Sequence, residues 1–208
     1  MVKNRPTRVM ISSLRMIKRE FLKDKWALTA LVLLCITFVT IFIWALFLDT
    51  DKVMTVSVLQ QYDRPGTNGM ILGADQGGRD VLSMLILGAR NSITIGFAVT
   101  IMMLVIGILF GVIAGYYGGL VDNIMMRFLD FMMLLPMLML VIVIVSIIPN
   151  YSMLDFVLVV SAFLWVGTAR LIRSKTLAEA QKEYVYVAMT SGSSAWKIML
   201  TDILPNIS

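Results

Sequence analysis

The run WALTALVLLCITFVTIFIWALFL, Trp26 to Leu48, is 23 residues long and carries no charge. About 20 apolar residues cover the hydrocarbon core of a bilayer, so this run crosses a membrane. It is too long for a secretory signal, whose apolar stretch covers about 7–15 residues and ends in small residues at a cleavage site. Two more uncharged runs follow, Ser92 to Tyr117 and FMMLLPMLMLVIVIVSII, Phe131 to Ile148. Pro136 inside the latter predicts a kinked helix. A fourth run is weaker. Phe156 to Ala169 holds only 14 uncharged residues, and it reaches 19 from Tyr151 by taking in Asp155.

Positive charge settles whether the fourth run crosses. The tail Met1 to Lys25 holds eight Lys/Arg and two acids, whereas Asp49 to Asn91 holds four Lys/Arg and five Asp. Basic residues collect on the cytoplasmic side, which places the tail inside and the long loop outside. The connection Gly118 to Asp130 is then inside. A fourth span, over about 151–172, keeps Arg170, Arg173, Lys175, Lys182 and Lys197 inside as well. The expected architecture is an all-α, polytopic membrane protein with spans at about 26–48, 92–117, 131–148 and 151–172.

Composition agrees. The chain is 59% hydrophobic and 15% charged, with a mean hydropathy of +0.86, against about 45–50% apolar residues in a typical soluble domain. The net charge of +5 is therefore a matter of topology, and no nucleic-acid motif accompanies it. Histidine is absent, which removes the commonest metal ligand and the commonest neutral-pH base. With no acidic pair in a span either, no catalytic residue and no metal site is assigned, and an intramembrane enzyme is set aside. Cys35 stands alone in an apolar run and forms no internal disulfide.

Three features remain. Gly107, Gly111 and Gly115 lie four apart, along one helical face, and permit close approach of another backbone. The loop ILGADQGGRDVLSMLILGARNSI lacks the G-x-x-x-x-G-K-[ST] spacing of a phosphate loop and reads as an irregular turn, with Asp75 or Asp80 capping a helix that enters the membrane. The segment EYVYVAMTSGSSAWKIMLTDILPN, Glu183 to Asn206, is amphipathic and too short to span. Glu183 to Ser191 predicts a short helix, Gly192 a left-handed stop, and Ser193 or Ser194 the cap of a second helix. Trp196, Met199, Leu200 and Ile203 then share one apolar face, and Pro205 ends the helix. Physics alone leaves three uses for that face: lying on the membrane surface, packing on the protein's own spans, or docking a partner.

LGADQGGRDVLSMLILGARNSI, GYYGGLVDNIMMRFLDFMMLLP and EYVYVAMTSGSSAWKIMLTDILPN, in this order, resemble the membrane subunits of bacterial ATP-binding-cassette importers for oligopeptides and dipeptides, specifically the C-type permease subunit. The resemblance runs from about Ile71 to Asn206. It implies a cytoplasmic tail, first span and start of the external loop over 1–70, and a permease core over 71–208, with two further membrane helices beyond Ser208 to complete six. It further implies that 183–206 is the cytoplasmic EAA coupling loop, with Glu183, Tyr184, Ala188, Gly192, Ser193, Trp196, Leu204 and Pro205 at its motif positions. Tyr186, Val187 and Asp202 depart from the usual glutamate, alanine and histidine.

The implied partners are a B-type permease subunit, two ATPase subunits and an extracellular peptide-binding protein, in the bacterial plasma membrane with a cytoplasmic N-terminus. No cofactor is expected on this chain, and ATP belongs to the partners. Nickel chelates or glutathione are alternative cargoes within the class. A self-contained secondary transporter is the competing class, and it normally keeps acids or bases within its spans. The runs at 26–48, 92–117 and 131–148 contain none.

Overall fold

The structure is a computed structural model that describes residues 20–207. Most of the basic N-terminal tail lies outside those residues. The described chain is helical, and its one β-type pairing is an isolated bridge between Ala74 and Asp80. Helices α1 (Lys25–Leu46), α3 (Val81–Tyr117) and α6 (Met153–Ala180) are each long and apolar enough to cross a membrane. A short α2 (Thr50–Met54) follows α1. Helices α4 (Gly119–Leu134) and α5 (Met137–Ile147) form a broken pair bent by 76°, a fourth span if they count as one. Two compact units divide between Thr94 and Ile95, inside α3.

The helix starts follow from local chemistry. Asp24 caps α1 by accepting from the amides of Trp26 at 2.9 Å and Ala27 at 3.2 Å. Of the two predicted caps for α3, Asp80 takes the role, accepting from Leu82 N and Ser83 N. Asp75 instead organises the turn before it. Its carboxylate accepts from the amides of Gly77 and Arg79 and pairs with the Arg79 guanidinium at 2.7 Å. Those Arg79 hydrogen bonds hold the Asp75 carboxyl below its ordinary range. Leu48, Val53 and Leu82 pack around buried Ala45, Ile86 and Leu87, which closes the loop over the ends of α1 and α3. At α6, Ser152 and Asp155 form a reciprocal capping box. Ser152 is the cap, and Asp155 is the third helical residue, whose carboxylate accepts from the Ser152 amide.

Three boundaries differ from expectation. The second span, read as Ser92–Tyr117, is the C-terminal part of a 37-residue helix that begins at Val81, because Arg90 interrupts the hydropathy and leaves the helix intact. The fourth span, read as about 151–172, continues to Ala180. Arg170, Arg173 and Lys175 end the apolar run there, while the residues beyond are good helix formers. The third span, read as one kinked helix over 131–148, is two helices. Pro136 lacks an N–H and pushes Leu135 out of the helical region, to φ −75° and ψ 130°. The first of the two begins at Gly119, inside the stretch read as a cytoplasmic connection. Asp122, Arg127 and Asp130 hid it from a hydropathy reading. Charges therefore do occur on membrane-capable helices. Asp122 is buried and pairs with Arg173 of α6, and Asp130 pairs with Arg170 of α6.

The predicted glycine face lies against α6. A Cβ on Gly107 would stand 2.8 Å from Thr168 Cβ, one on Gly111 would stand 2.6 Å from the Ala169 carbonyl oxygen, and one on Gly115 would stand 2.7 Å from Thr176 Cβ. The three glycines thus bring two helices of the same chain to backbone contact. Beside this seam, Leu129, Trp165, Val166 and Ala169 are buried, with Phe110 edge-on to Trp165 at 4.8 Å.

Candidate functional site

After α6 the chain turns at Gln181 and Lys182 and enters α7 (Glu183–Thr190). Glu183 is exposed in the first turn, where a negative charge suits the helix dipole. Gly192 ends the element at φ +77°, in the left-handed region. The amide of Ser193 bonds to Ala188 O at 3.2 Å and that of Gly192 to Met189 O at 3.1 Å. These are the two bonds of a Schellman stop. Ser194, rather than Ser193, caps α8 (Ala195–Lys197), its hydroxyl accepting from Lys197 N. Ser193 contributes the backbone bond of the stop. Leu204 and Pro205 lie in a final 3₁₀ turn, Leu204–Asn206.

The second helix of the bend is not a regular α-helix. After Lys197 it widens into a π-helical turn, Ile198–Ile203, and the Leu204 amide reaches Met199 O. The extra residue per turn splits the apolar face predicted for Trp196, Met199, Leu200 and Ile203. Met199 and Ile203 are fully buried, and Ile198, which sequence periodicity missed, joins them. Trp196 and Leu200 stay 54% and 52% exposed. A regular helical wheel has no place for this register change, and no sequence signal marks it.

Two contacts hold the bend to the spans. The first is apolar. Val185 of α7 packs with Ile198, Met199 and Ile203 and with Val112 of α3, and Ile108, Tyr116, Ile172 and Ala188 surround them. Burying an aliphatic side chain of this size stabilises by about 2 kcal/mol. Four such side chains suffice to hold helices that are too short to persist alone. The second contact is polar. Glu179, at the end of α6, is buried, accepts from the Tyr184 hydroxyl and pairs with Lys182 at 2.7 Å. Asn206 Nδ2 donates to Asp202 O at 2.6 Å and lies 3.4 Å from the Tyr184 oxygen. Lys175 Nζ reaches Ile207 O at 2.9 Å. Burial, and then the bond to Glu179, push the Tyr184 phenol well above its ordinary value, so it stays a hydrogen-bond donor at any physiological pH. Sequence reasoning singled out Tyr184 by motif and missed Glu179, whose partners lie on both sides of a turn.

Four large side chains of the bend stay exposed. Tyr186 is 56% exposed and Val187 63%, alongside Trp196 and Leu200. The edge of Trp196 also lines a narrow apolar crevice with Leu109, Val112 and Leu200. The bend is thus anchored on α3 and α6 by its buried side chains and leaves apolar and aromatic side chains exposed.

The chain is thus an all-α fold with three or four membrane-capable helices and a fixed amphipathic bend after α6. Residues 107–208 match the family described as the binding-protein-dependent transport system inner membrane component. The chain belongs to that family. It is 45% identical to the oligopeptide transport system permease protein of Lactococcus lactis subsp. lactis (strain IL1403), over 95% of this chain and 67% of that protein. It is 33% identical to the dipeptide transport system permease protein of Bacillus subtilis (strain 168), over 90% of this chain and 58% of the relative. It is 31% identical to the glutathione transport system permease protein of Pectobacterium atrosepticum, over 90% and 62%. The chain spans about two thirds of the length of these relatives.

Proposed function

We propose that this chain is the membrane-embedded permease subunit of an ATP-driven peptide importer, and that Glu183 to Asn206 docks the ATPase subunits and carries their motion to the spans. The observation that carries the proposal is the fixed bend, anchored at Val185, Ile198, Met199 and Ile203 and leaving Tyr186, Val187, Trp196 and Leu200 exposed. Motion passes through such an element only if it does not flex internally, and the Schellman stop together with the Glu179–Tyr184 contact supplies that stiffness. Family membership and the peptide permeases among the relatives support peptide cargo. A second permease subunit, two ATPase subunits and an extracellular binding protein complete the machine. ATP is bound and hydrolysed by the ATPases.

Gly192 gives a direct test. A Cβ there meets nothing within 4 Å, so a substitution acts through the backbone alone. A β-branched residue at positive φ costs about 1–2 kcal/mol or more, whereas asparagine tolerates that conformation. In a reconstituted full-length complex, Gly192→Val lowers peptide uptake per ATP hydrolysed by roughly tenfold, the factor that 1.4 kcal/mol represents. Gly192→Asn stays close to wild type. Equal coupling in both variants removes the bend from the transmission path.

The proposed orientation places the N-terminus and the bend in the cytoplasm. In a Cys35→Ser background, Thr67→Cys reacts with an impermeant thiol reagent in intact cells and Ser194→Cys reacts only after permeabilisation. The reverse pattern inverts the topology.

A further inference from the structure

Arg127 of α4 is exposed, and its guanidinium has no hydrogen-bond or ionic partner among the described residues. The two acids of the same helix are committed elsewhere, Asp122 to Arg173 and Asp130 to Arg170 of α6. Seven residues to either side of Arg127, in the same row of the helix, stand Leu120 and Leu134, 80% and 81% exposed. Ile124 and Phe131, also exposed, lie within roughly 60° of that row. Asn123, one turn before Arg127 and exposed, adds an amide donor. An unpaired cation thus stands in the middle of an exposed apolar face.

The packing on α6 fixes the level of this face. Asp122 meets Arg173, Asp130 meets Arg170, and Leu129 packs with Trp165, Val166 and Ala169, so α4 runs antiparallel to the end of α6. The uncharged run of α6, Phe156 to Ala169, stops at Arg170, which marks the edge of the hydrocarbon. Arg127 is three residues, about 5 Å of helix rise, from the residue that Arg170 holds. Phe131 and Leu134 lie further along α4, on the hydrocarbon side of that edge. Water alone would satisfy the guanidinium and leave these two side chains bare. An apolar helix would cover them and bury the guanidinium without an acceptor, at a cost of several kcal/mol. A phospholipid has the matching order, a phosphate at the edge and acyl chains beyond it.

We infer that Arg127, with Asn123 beside it, binds the phosphate of an anionic phospholipid whose acyl chains lie along Phe131 and Leu134. A guanidinium donates two parallel N–H bonds to a phosphate, and the asparagine amide supplies a third donor. Both acids of α4 are taken by α6, so no carboxylate on this helix is free to hold the cationic end of a zwitterionic headgroup. The site therefore prefers phosphatidylglycerol to phosphatidylcholine. Its chemistry is the same in either leaflet and is independent of the importer reading above.

The experiment uses the full-length complex, free of other cysteines, with a bimane fluorophore on Phe131→Cys. It is reconstituted in vesicles containing increasing mole fractions of phosphatidylglycerol or phosphatidylcholine brominated on the acyl chain, which quenches bimane on contact. Half-quenching requires about fivefold less phosphatidylglycerol than phosphatidylcholine, the factor that one basic contact to an anionic lipid supplies. Adding Arg127→Gln brings the two curves together, and Arg127→Lys keeps part of the preference. A bimane on Leu138→Cys of α5, a side chain that is exposed away from the site, is quenched by both lipids in a ratio that Arg127→Gln leaves unchanged. Equal quenching at Phe131→Cys with Arg127 in place overturns the inference, and so does a preference that survives Arg127→Gln. A Phe131→Cys label that neither lipid quenches, while the Leu138→Cys label responds, shows the face covered by a neighbouring subunit and overturns it as well.

Discussion

Gly111→Leu leaves too little of the permease folded to assemble. The Cβ alone would stand 2.6 Å from Ala169 O, 2.8 Å from Ile172 Cβ and 2.9 Å from Arg173 N. Two of those three atoms belong to the α6 backbone, so rotamer changes on the partner helix give no relief. Overpacking a close-packed site costs typically 1–3 kcal/mol and more where backbone must move, so a loss of about 3 kcal/mol is expected. The displacement also spreads, since Arg173 is held by Asp122 and Ile172 packs against the core beneath the bend. Reversible unfolding in mixed detergent measures the stability, and co-purification with the second permease subunit measures assembly. Gly111→Ala, with the Cβ and nothing more, falls between wild type and leucine. Wild-type stability in the leucine variant shows that α3 and α6 do not meet here.

Trp196→Ala weakens ATPase binding by about thirtyfold and leaves membrane insertion unchanged. Trp196 is the largest exposed side chain of the bend, half exposed with one edge over the apolar crevice against α3. Large aromatics that fill a partner's pocket dominate interfaces of this size, and truncating one costs about 2 kcal/mol. That loss corresponds to roughly a thirtyfold change in affinity. Val185, Ile198, Met199 and Ile203 stay buried against α3 without it, so the fold of the bend survives the change. Binding of the purified ATPase subunits to the reconstituted permease measures the affinity. Unchanged affinity in both Trp196→Ala and Leu200→Ala makes this face a membrane-surface helix rather than a docking surface.

The sequence reading of function separated two transporter classes by the lack of charge within the spans. Asp122, Arg127 and Asp130 on α4 weaken that particular argument, because the helix carrying them begins twelve residues earlier than the apolar run suggested. The choice of class rests instead on family membership and on the bend.

Sequence alone determined the parts governed by length, hydropathy and local backbone chemistry. The 22-residue α1 needs only its unbroken apolar run and the Asp24 cap. The stop at Gly192 needs only a residue that accepts positive φ, and the Gly107–Gly111–Gly115 register needs only a four-residue spacing. Each is set by interactions a few residues apart, so it can be read from neighbours in the chain. The tertiary structure decided which surfaces meet. It assigned the glycine face to α6 of the same chain. It paired Asp122 with Arg173 across 51 positions, which keeps α4 helical through charges that end a hydropathy run. It also buried Ile198 at the start of a π-helical turn that no spacing rule predicts, and left Trp196 half exposed. These outcomes depend on partners distant in sequence. Whether a charge is satisfied, or a face covered, is fixed only when the other helix arrives.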